Sequence, residues 1–493
     1  MNEQNWINKR VVPDEIEKHL DSGKSFIDGE KIFSVLSNKE VPDKKQIRDI
    51  LDKARAIETL SLEEAGALIN VPNEVFEEEI APVCLEVKKK VYDNRIVTFA
   101  PLYMSSYCVN NCLYCAFRRE NDKAQRVLLS MDEIKREVEA LTGKIGHKRL
   151  IVVYGEHPLS GIEYMLKSID AVYSVKVKAK YGLSQIRRVN VNAPPMQLNE
   201  LKRLNAAGIG TYQVFQETYH RHTYEQFHPK DTIKGNYLWR LYVMHRAMDA
   251  GIDDVGIGVL LGLYDWRFEV LALLMHAIEL ERRFGIGPHT ISFPRVEPAY
   301  NTPFADNPKH KVSDSDFLKL IGILRLAVPY TGLIITAREP KHIRDKSFLY
   351  GVTQTDASSK IGLGTYSEED VVQHGEKQQF FLGDTRTLDE LIGDLADMGY
   401  ITSFCTAGYR CGRTGKNIME LLKSGQEGMF CKLNAVLTFR EWIDDFASEE
   451  TREKAEGLID FEINQIREKM PDVFPKLMEY YEKTKQGMRD LYF

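Results

Sequence analysis

The stretch Cys108-Val-Asn-Asn-Cys112-Leu-Tyr-Cys115 sets three thiols at C-x3-C-x2-C spacing. A 4Fe–4S cluster presents four irons, and a loop this short lets three thiolates each take one of them. The fourth iron is left without a protein ligand, open to the amino and carboxylate groups of S-adenosylmethionine. The chemistry this spacing predicts is reductive cleavage of that molecule's sulfonium C–S bond to a 5′-deoxyadenosyl radical. Tyr114, just before the last cysteine, is the aromatic expected against the adenine. Zinc also binds close cysteines, but it asks for four ligands, usually as paired C-x2-C units. No fourth Cys or His stands at such a spacing here.

Outward from this loop, short β-rich runs alternate with amphipathic helical stretches, the pattern of a parallel sheet built from βα units. Eight strands are predicted: Ile96–Tyr103, Arg149–Tyr154, Ile186–Asn192, Gly210–Gln216, Asp254–Leu261, Thr290–Pro294, Gly332–Ala337 and Tyr350–Thr355. They imply an α/β fold, a (β/α)8 TIM-type radical SAM barrel, with a six-strand partial barrel as the alternative. Chemistry in such a barrel sits at the strand C-termini, where the cysteine loop follows the first strand. Residues 1–92 read as an N-terminal helical extension, 93–376 as the barrel, and 377–493 as a mostly helical C-terminal domain. Capping boxes at Ser61-Leu-Glu-Glu64, Ser130-Met-Asp-Glu133 and Thr438-Phe-Arg-Glu441 mark helix starts, and Asn73 is a further cap. Gln379–Leu382 reads as a strand.

The net charge of −6 over 493 residues argues against nucleic acid as the main partner. The polar N-terminus predicts no signal peptide, and no window approaches twenty apolar residues, so no membrane span is expected. Seven cysteines, an odd number in two groups, point to metal ligation in a reducing compartment, hence the cytoplasm. Cys84 lies among apolar neighbours as a small buried hydrophobe.

Several polar groups end predicted strands. Tyr154-Gly155-Glu156 suits the ammonium of S-adenosylmethionine, although an ordinary turn reads the same way. Asn192 on the third strand and Gln213, Gln216 and Glu217 on the fourth are network members or ligand contacts. Arg338 offers a bidentate pair to a substrate carboxylate, or a salt bridge to Glu339. His276 and His289 are open between structural and ligand roles. Cys405, Cys411 and Cys431, at C-x5-C-x19-C, are candidate ligands of a second cluster.

Phe99–Arg119 as a whole, Gly155-Glu-His-Pro158, Gln213–His220, Asp254–Gly258, Gly287–Ser292 and Gly412-Arg-Thr-Gly415 resemble the HydG/ThiH family, and more closely its cysteine-tailed branch of FeFe-hydrogenase maturases. The resemblance implies a complete barrel and a radical lyase that breaks the Cα–Cβ bond of L-tyrosine, giving p-cresol and dehydroglycine. It also implies a reductant such as flavodoxin or ferredoxin and hydrogenase maturation proteins as partners. In the maturase branch a second cluster, on a C-x2-C-x22-C tail motif, turns dehydroglycine into CO and cyanide. A barrel histidine, matched here to His276, helps to hold a further iron on it. This chain departs twice. The tail motif falls on Cys405, Gly408 and Cys431, with Cys411 three residues past the missing ligand. Thr355-Asp-Ala-Ser-Ser-Lys360 stands where the family has Ile-Ser-Ala-Gly-Ser-Arg, which predicts added charge and bulk near the substrate. Three functions follow as expectations: a tyrosine lyase supplying CO and cyanide, a divergent aromatic amino-acid lyase without that supply, and a non-catalytic iron–sulfur scaffold.

Overall fold

The computed structural model describes residues 3–368, 372–413, 415–423 and 427–493. Eight parallel strands close into a barrel: β1 (Arg95–Ser105), β2 (Arg149–Tyr154), β3 (Arg188–Asn192), β4 (Tyr212–Gln213), β5 (Val255–Gly258), β6 (Thr290–Ser292), β7 (Gly332–Ile335) and β8 (Gln354–Asp356). Closure runs through Val97–Phe99 of β1 paired with Gln354–Asp356 of β8. The fourth strand is shorter than predicted. The eighth begins later, because Phe348–Tyr350 form a 3-10 turn that ends at Gly351 with φ +107°.

Alternation of side chains along each strand sorts the barrel into layers. Val189 and Val191 of β3 join the main core under the surrounding helices. The opposite parity faces the axis. Phe99, Ile151 and Ile334 form a small apolar cluster of their own, apart from that core. Above it, Tyr103, Val153 and Arg338 line a cavity at the C-terminal mouth. One pleat down lie Arg149 and Arg188, cross-strand partners in the β2–β3 register.

Three local expectations are corrected. Residues 379–382 are not a strand; they cross the upper mouth, where Gln379 bonds Tyr103 and Cys115. The tail instead supplies β9 (Ile401–Ser403), which pairs with Arg95–Val97 below the point where β2 begins to pair at Ala100. Thr438 is not a cap but lies inside the helix Glu427–Phe446, its hydroxyl donating to the Asn434 carbonyl. Its partner in the predicted box, Glu441, is instead buried in ion pairs with Lys148 and Arg187. The boxes at Ser61 and Ser130 are formed as predicted. Asn73 starts its helix without a side-chain cap and bonds Ser315 and Asp316. Among the described residues, no helix is long and apolar enough to cross a membrane.

Candidate active site

The loop after β1 is tied down by its own asparagine. Asn110 donates through Nδ2 to Glu156 at 2.6 Å and to the Cys108 sulfur at 3.7 Å, and its Oδ1 accepts the Lys234 amide at 2.9 Å. The Val109 amide donates to the Glu156 carbonyl and the Cys115 amide to the Cys112 carbonyl. Gln379 donates to the Cys115 sulfur at 3.4 Å. Cys108, Cys112 and Cys115 thereby line one cavity. Burial pushes all three thiols up, Cys112 to about 11. Thiolates at neutral pH therefore form together with a bound metal rather than ahead of it.

The same cavity is lined by Gly155 and Glu156, and both fit S-adenosylmethionine. A Cβ at Gly155 would lie 2.2 Å from the Tyr107 carbonyl oxygen, so only glycine lets the backbone run this close to the loop. Glu156 is buried; one carboxylate oxygen takes Asn110 and the other is left without a partner. An orphan carboxylate oxygen on the wall of the cysteine-lined cavity suits an ammonium group. Burial raises the Glu156 carboxyl, opposed by Arg10 and Asn110. Tyr114 faces the cavity with its hydroxyl bonded to His228 at 2.7 Å.

Asn192 lines the cavity as well, but Gln213 does not. It lies two residues back along the chain from Phe215, level with the apolar middle layer, while Phe215 and Glu217 reach the wall. Glu217, at φ +73°, holds Lys234 at 2.7 Å and Arg240 at 2.9 Å. Burial pushes its carboxyl up, and these two cations outweigh that and lower it.

Arg338 lines the same cavity as the cysteines, its guanidinium 3.3 Å from the Phe380 ring centroid. It does not pair with Glu339, which is taken by Arg295. The peptide before Arg338 is clamped on both sides. The Ala337 amide donates to Asp356 at 2.7 Å, and the Ala337 carbonyl accepts from Gly383 at 2.8 Å and Asp384 at 3.0 Å. Asp356 is buried, also accepts from the Ser359 hydroxyl and lies near Arg344. Ser358 accepts the Leu388 amide. Neither lines the cavity, so the charge expected near the substrate is spent on the scaffold. Glu297 faces the cavity too, with its carboxyl pushed up to about 7 by burial and by Glu339, against Arg338 and Arg295.

Sequence reasoning missed Asn110, Lys234, Arg240, Glu297, Gln379 and Phe380. Only Asn110, inside the cysteine motif, carried a signal that would have marked it.

The tail cysteines lie at the opposite mouth. Cys405 follows β9 at φ +48°. A hydrogen bond with Cys431 holds its thiol well below the usual range against burial, helped by Arg149, His289 and Arg95. His276, expected there, is elsewhere: it sits on the outer helix Trp266–Phe284, with Nδ1 2.7 Å from the Tyr219 hydroxyl and its ring against Phe26 and His245. Helical spacing hid which side of the barrel wall it takes. The histidine near Cys405 is His289, which leads into β6.

The Radical SAM superfamily model matches residues 102–275, and the Biotin and Thiamin Synthesis associated domain model matches residues 292–401. A crystal structure of HydG, a maturase of the FeFe-hydrogenase, has a TM-score of 0.89 at 44% identity, covering 95% of this chain and 100% of that one. HydG from Carboxydothermus hydrogenoformans has a TM-score of 0.76 at 36% identity, covering 96% and 100%. The 2-iminoacetate synthase of Salmonella typhimurium is 28% identical over 69% of this chain and 85% of its own. The radical SAM family implies a 4Fe–4S cluster and S-adenosylmethionine, the pair that the three cysteines, Gly155 and Glu156 fit. With its barrel, its cysteine loop and its tail all matched, the chain belongs to the HydG/ThiH family of radical SAM enzymes, as a HydG-like maturase or a ThiH-like lyase.

Proposed function

We propose that this chain is a radical SAM lyase that breaks the Cα–Cβ bond of L-tyrosine, giving p-cresol and dehydroglycine. One observation carries the reading: Arg338 and the three cysteines line a single cavity, so a carboxylate on Arg338 brings an amino acid up to the cluster side. Cys108, Cys112 and Cys115 would hold the 4Fe–4S cluster, which with S-adenosylmethionine supplies the 5′-deoxyadenosyl radical.

The chain's residues position and shield. Glu156 receives the ammonium of S-adenosylmethionine on its orphan oxygen, and Tyr114 lies against the adenine. Arg338 takes the substrate carboxylate, with the backbone of the preceding Ala337 held by Asp356, Gly383 and Asp384 so that little orientation is lost on binding. Glu297, half-ionised near neutrality, accepts a proton from the substrate ammonium so that a neutral amine faces the radical. Phe117, Phe215, Leu260, Val296 and Phe380 give apolar walls for an aromatic side chain and exclude water. This chain's departure from the family at Asp356 and Ser358 leaves these walls untouched, which supports tyrosine over an altered substrate.

The test is an anaerobic assay with dithionite, S-adenosylmethionine and tyrosine. The expected result is p-cresol in step with 5′-deoxyadenosine. Deoxyadenosine without p-cresol for tyrosine, but with cleavage of another aromatic amino acid, would move the substrate. Neither product in protein carrying a full cluster would favour the scaffold reading.

A further inference from the structure

The family implies a second cluster in the tail, and the residues of this chain do not fit it. Gly408–Cys411 form one 3-10 turn, closed by the Arg410 and Cys411 amides on the Ala407 carbonyl and by the Arg413 amide on the Gly408 carbonyl at 2.9 Å. Gly412, at φ +67°, ends it. With about three residues per turn, neighbouring side chains leave a 3-10 helix in different directions. Here Tyr409 faces the barrel and Cys411 faces away.

Tyr409 is seated under Arg188, with the guanidinium 2.7 Å from the ring centroid, and its ring lies 6.5 Å from that of His289. With Arg188, Asp254 and Thr406 it lines a cavity of about 400 Å3 at the lower mouth. Cys411 is exposed, its sulfur 3.5 Å from the Phe493 carbonyl oxygen. The C-terminal strip holds it there. The Phe493 carbonyl also accepts from Arg413 at 3.0 Å and Asn434 at 3.3 Å, and Arg410 pairs with Asp490 at 2.8 Å. Cys405 and Cys431 are left facing each other.

We infer that the tail of this chain is a two-thiolate site, with Tyr409 on Arg188 in the inward place of the turn, and carries no second iron–sulfur cluster. Resting on the lyase reading above, this makes dehydroglycine the end of the enzyme's own chemistry. Released to water, its C=N bond adds one water and expels ammonia, giving glyoxylate with no oxidant or reductant required.

The test is anaerobic reconstitution with iron and sulfide counted on the whole chain. About four irons per chain are expected for the wild type, for Cys411→Ala and for the Cys405→Ala/Cys431→Ala pair, as one 4Fe–4S cluster requires. The Gly408→Cys/Tyr409→Ser variant, which restores a thiol and removes the inward ring, is expected to rise towards about eight. About eight irons in the wild type, falling to about four in Cys411→Ala, would overturn the inference. A Gly408→Cys/Tyr409→Ser count that stays at about four would overturn the claim that this turn is what excludes the cluster. The lyase reading fails separately, by absence of p-cresol at four irons, whatever the tail holds.

Discussion

The two cysteine groups use the same element at opposite ends of one barrel, and their surroundings differ in kind. At the upper mouth each sulfur lines a shared cavity, and Asn110 links the loop to Glu156 and Lys234. At the lower mouth the turn is fastened to the C-terminal strip, and one of the three sulfurs is directed into solvent. Counting thiols in a motif is therefore a weaker guide than asking what holds the loop between them. The upper loop's side-chain bonds run to the cavity wall, whereas the side chains of the tail turn, Arg410, Cys411 and Arg413, bond outward to the C-terminal strip.

The largest expected break in this contrast is at the upper loop. Cys112→Ala should abolish the reduced cluster's EPR signal and all 5′-deoxyadenosine, whereas Cys411→Ala should change neither. Next is Arg338→Ala. Losing a charge-assisted pair of about 1.5–3 kcal/mol predicts a roughly ten- to hundredfold fall in kcat/KM for tyrosine, with abortive 5′-deoxyadenosine persisting. Unchanged KM and kcat would remove Arg338 from substrate binding.

Glu297 gives a pH signature of moderate size. Its carboxyl is raised from 4.5 to about 7 and acts as a base only when ionised. Cleavage should therefore rise as pH increases through about 7, and Glu297→Gln should lower the rate and flatten that limb. A wild-type profile flat from pH 6 to 8 would contradict the role. Asp356→Ala leaves the buried Ala337 amide unpaired, at a cost of about 1–3 kcal/mol, and should raise KM for tyrosine with a smaller change in kcat. Asp356→Asn, which keeps an acceptor, should recover most of the loss. Smallest is Tyr409→Ala, where a lost cation–π contact of about 1–2 kcal/mol lowers Tm by a few degrees and leaves p-cresol formation intact.

The barrel was legible in the sequence because short β-rich runs recur between amphipathic helical stretches, as βα units require. The cysteine loop was legible because its ligands lie within eight residues of one another. What could not be read belongs to long-range placement. Gln379 and Phe380 look like strand residues, yet Gln379 is placed by side-chain hydrogen bonds with Tyr103 and Cys115, far away in the chain, and Phe380 by its ring under Arg338. His276 and His289 differ in which side of the wall they occupy, and no local periodicity encodes that. Gln213 had the right residue type and the right strand, but lay one layer too deep. Asp356 looked like a change to the substrate pocket because its carboxylate was visible in the sequence and its backbone partners were not.

The pairing of β9 with the first residues of β1 bears on how the chain folds. The lower rim of β1 is finished by a segment about three hundred residues later, and its middle by β8. Such distant pairings are slow to form, so a nascent chain carries the Arg95–Val97 rim as an unsatisfied edge for most of its synthesis. A version truncated before Ile401 would keep every upper-mouth residue yet expose that edge for good. Aggregation, rather than a clean loss of the tail's chemistry, is what such a truncation would report.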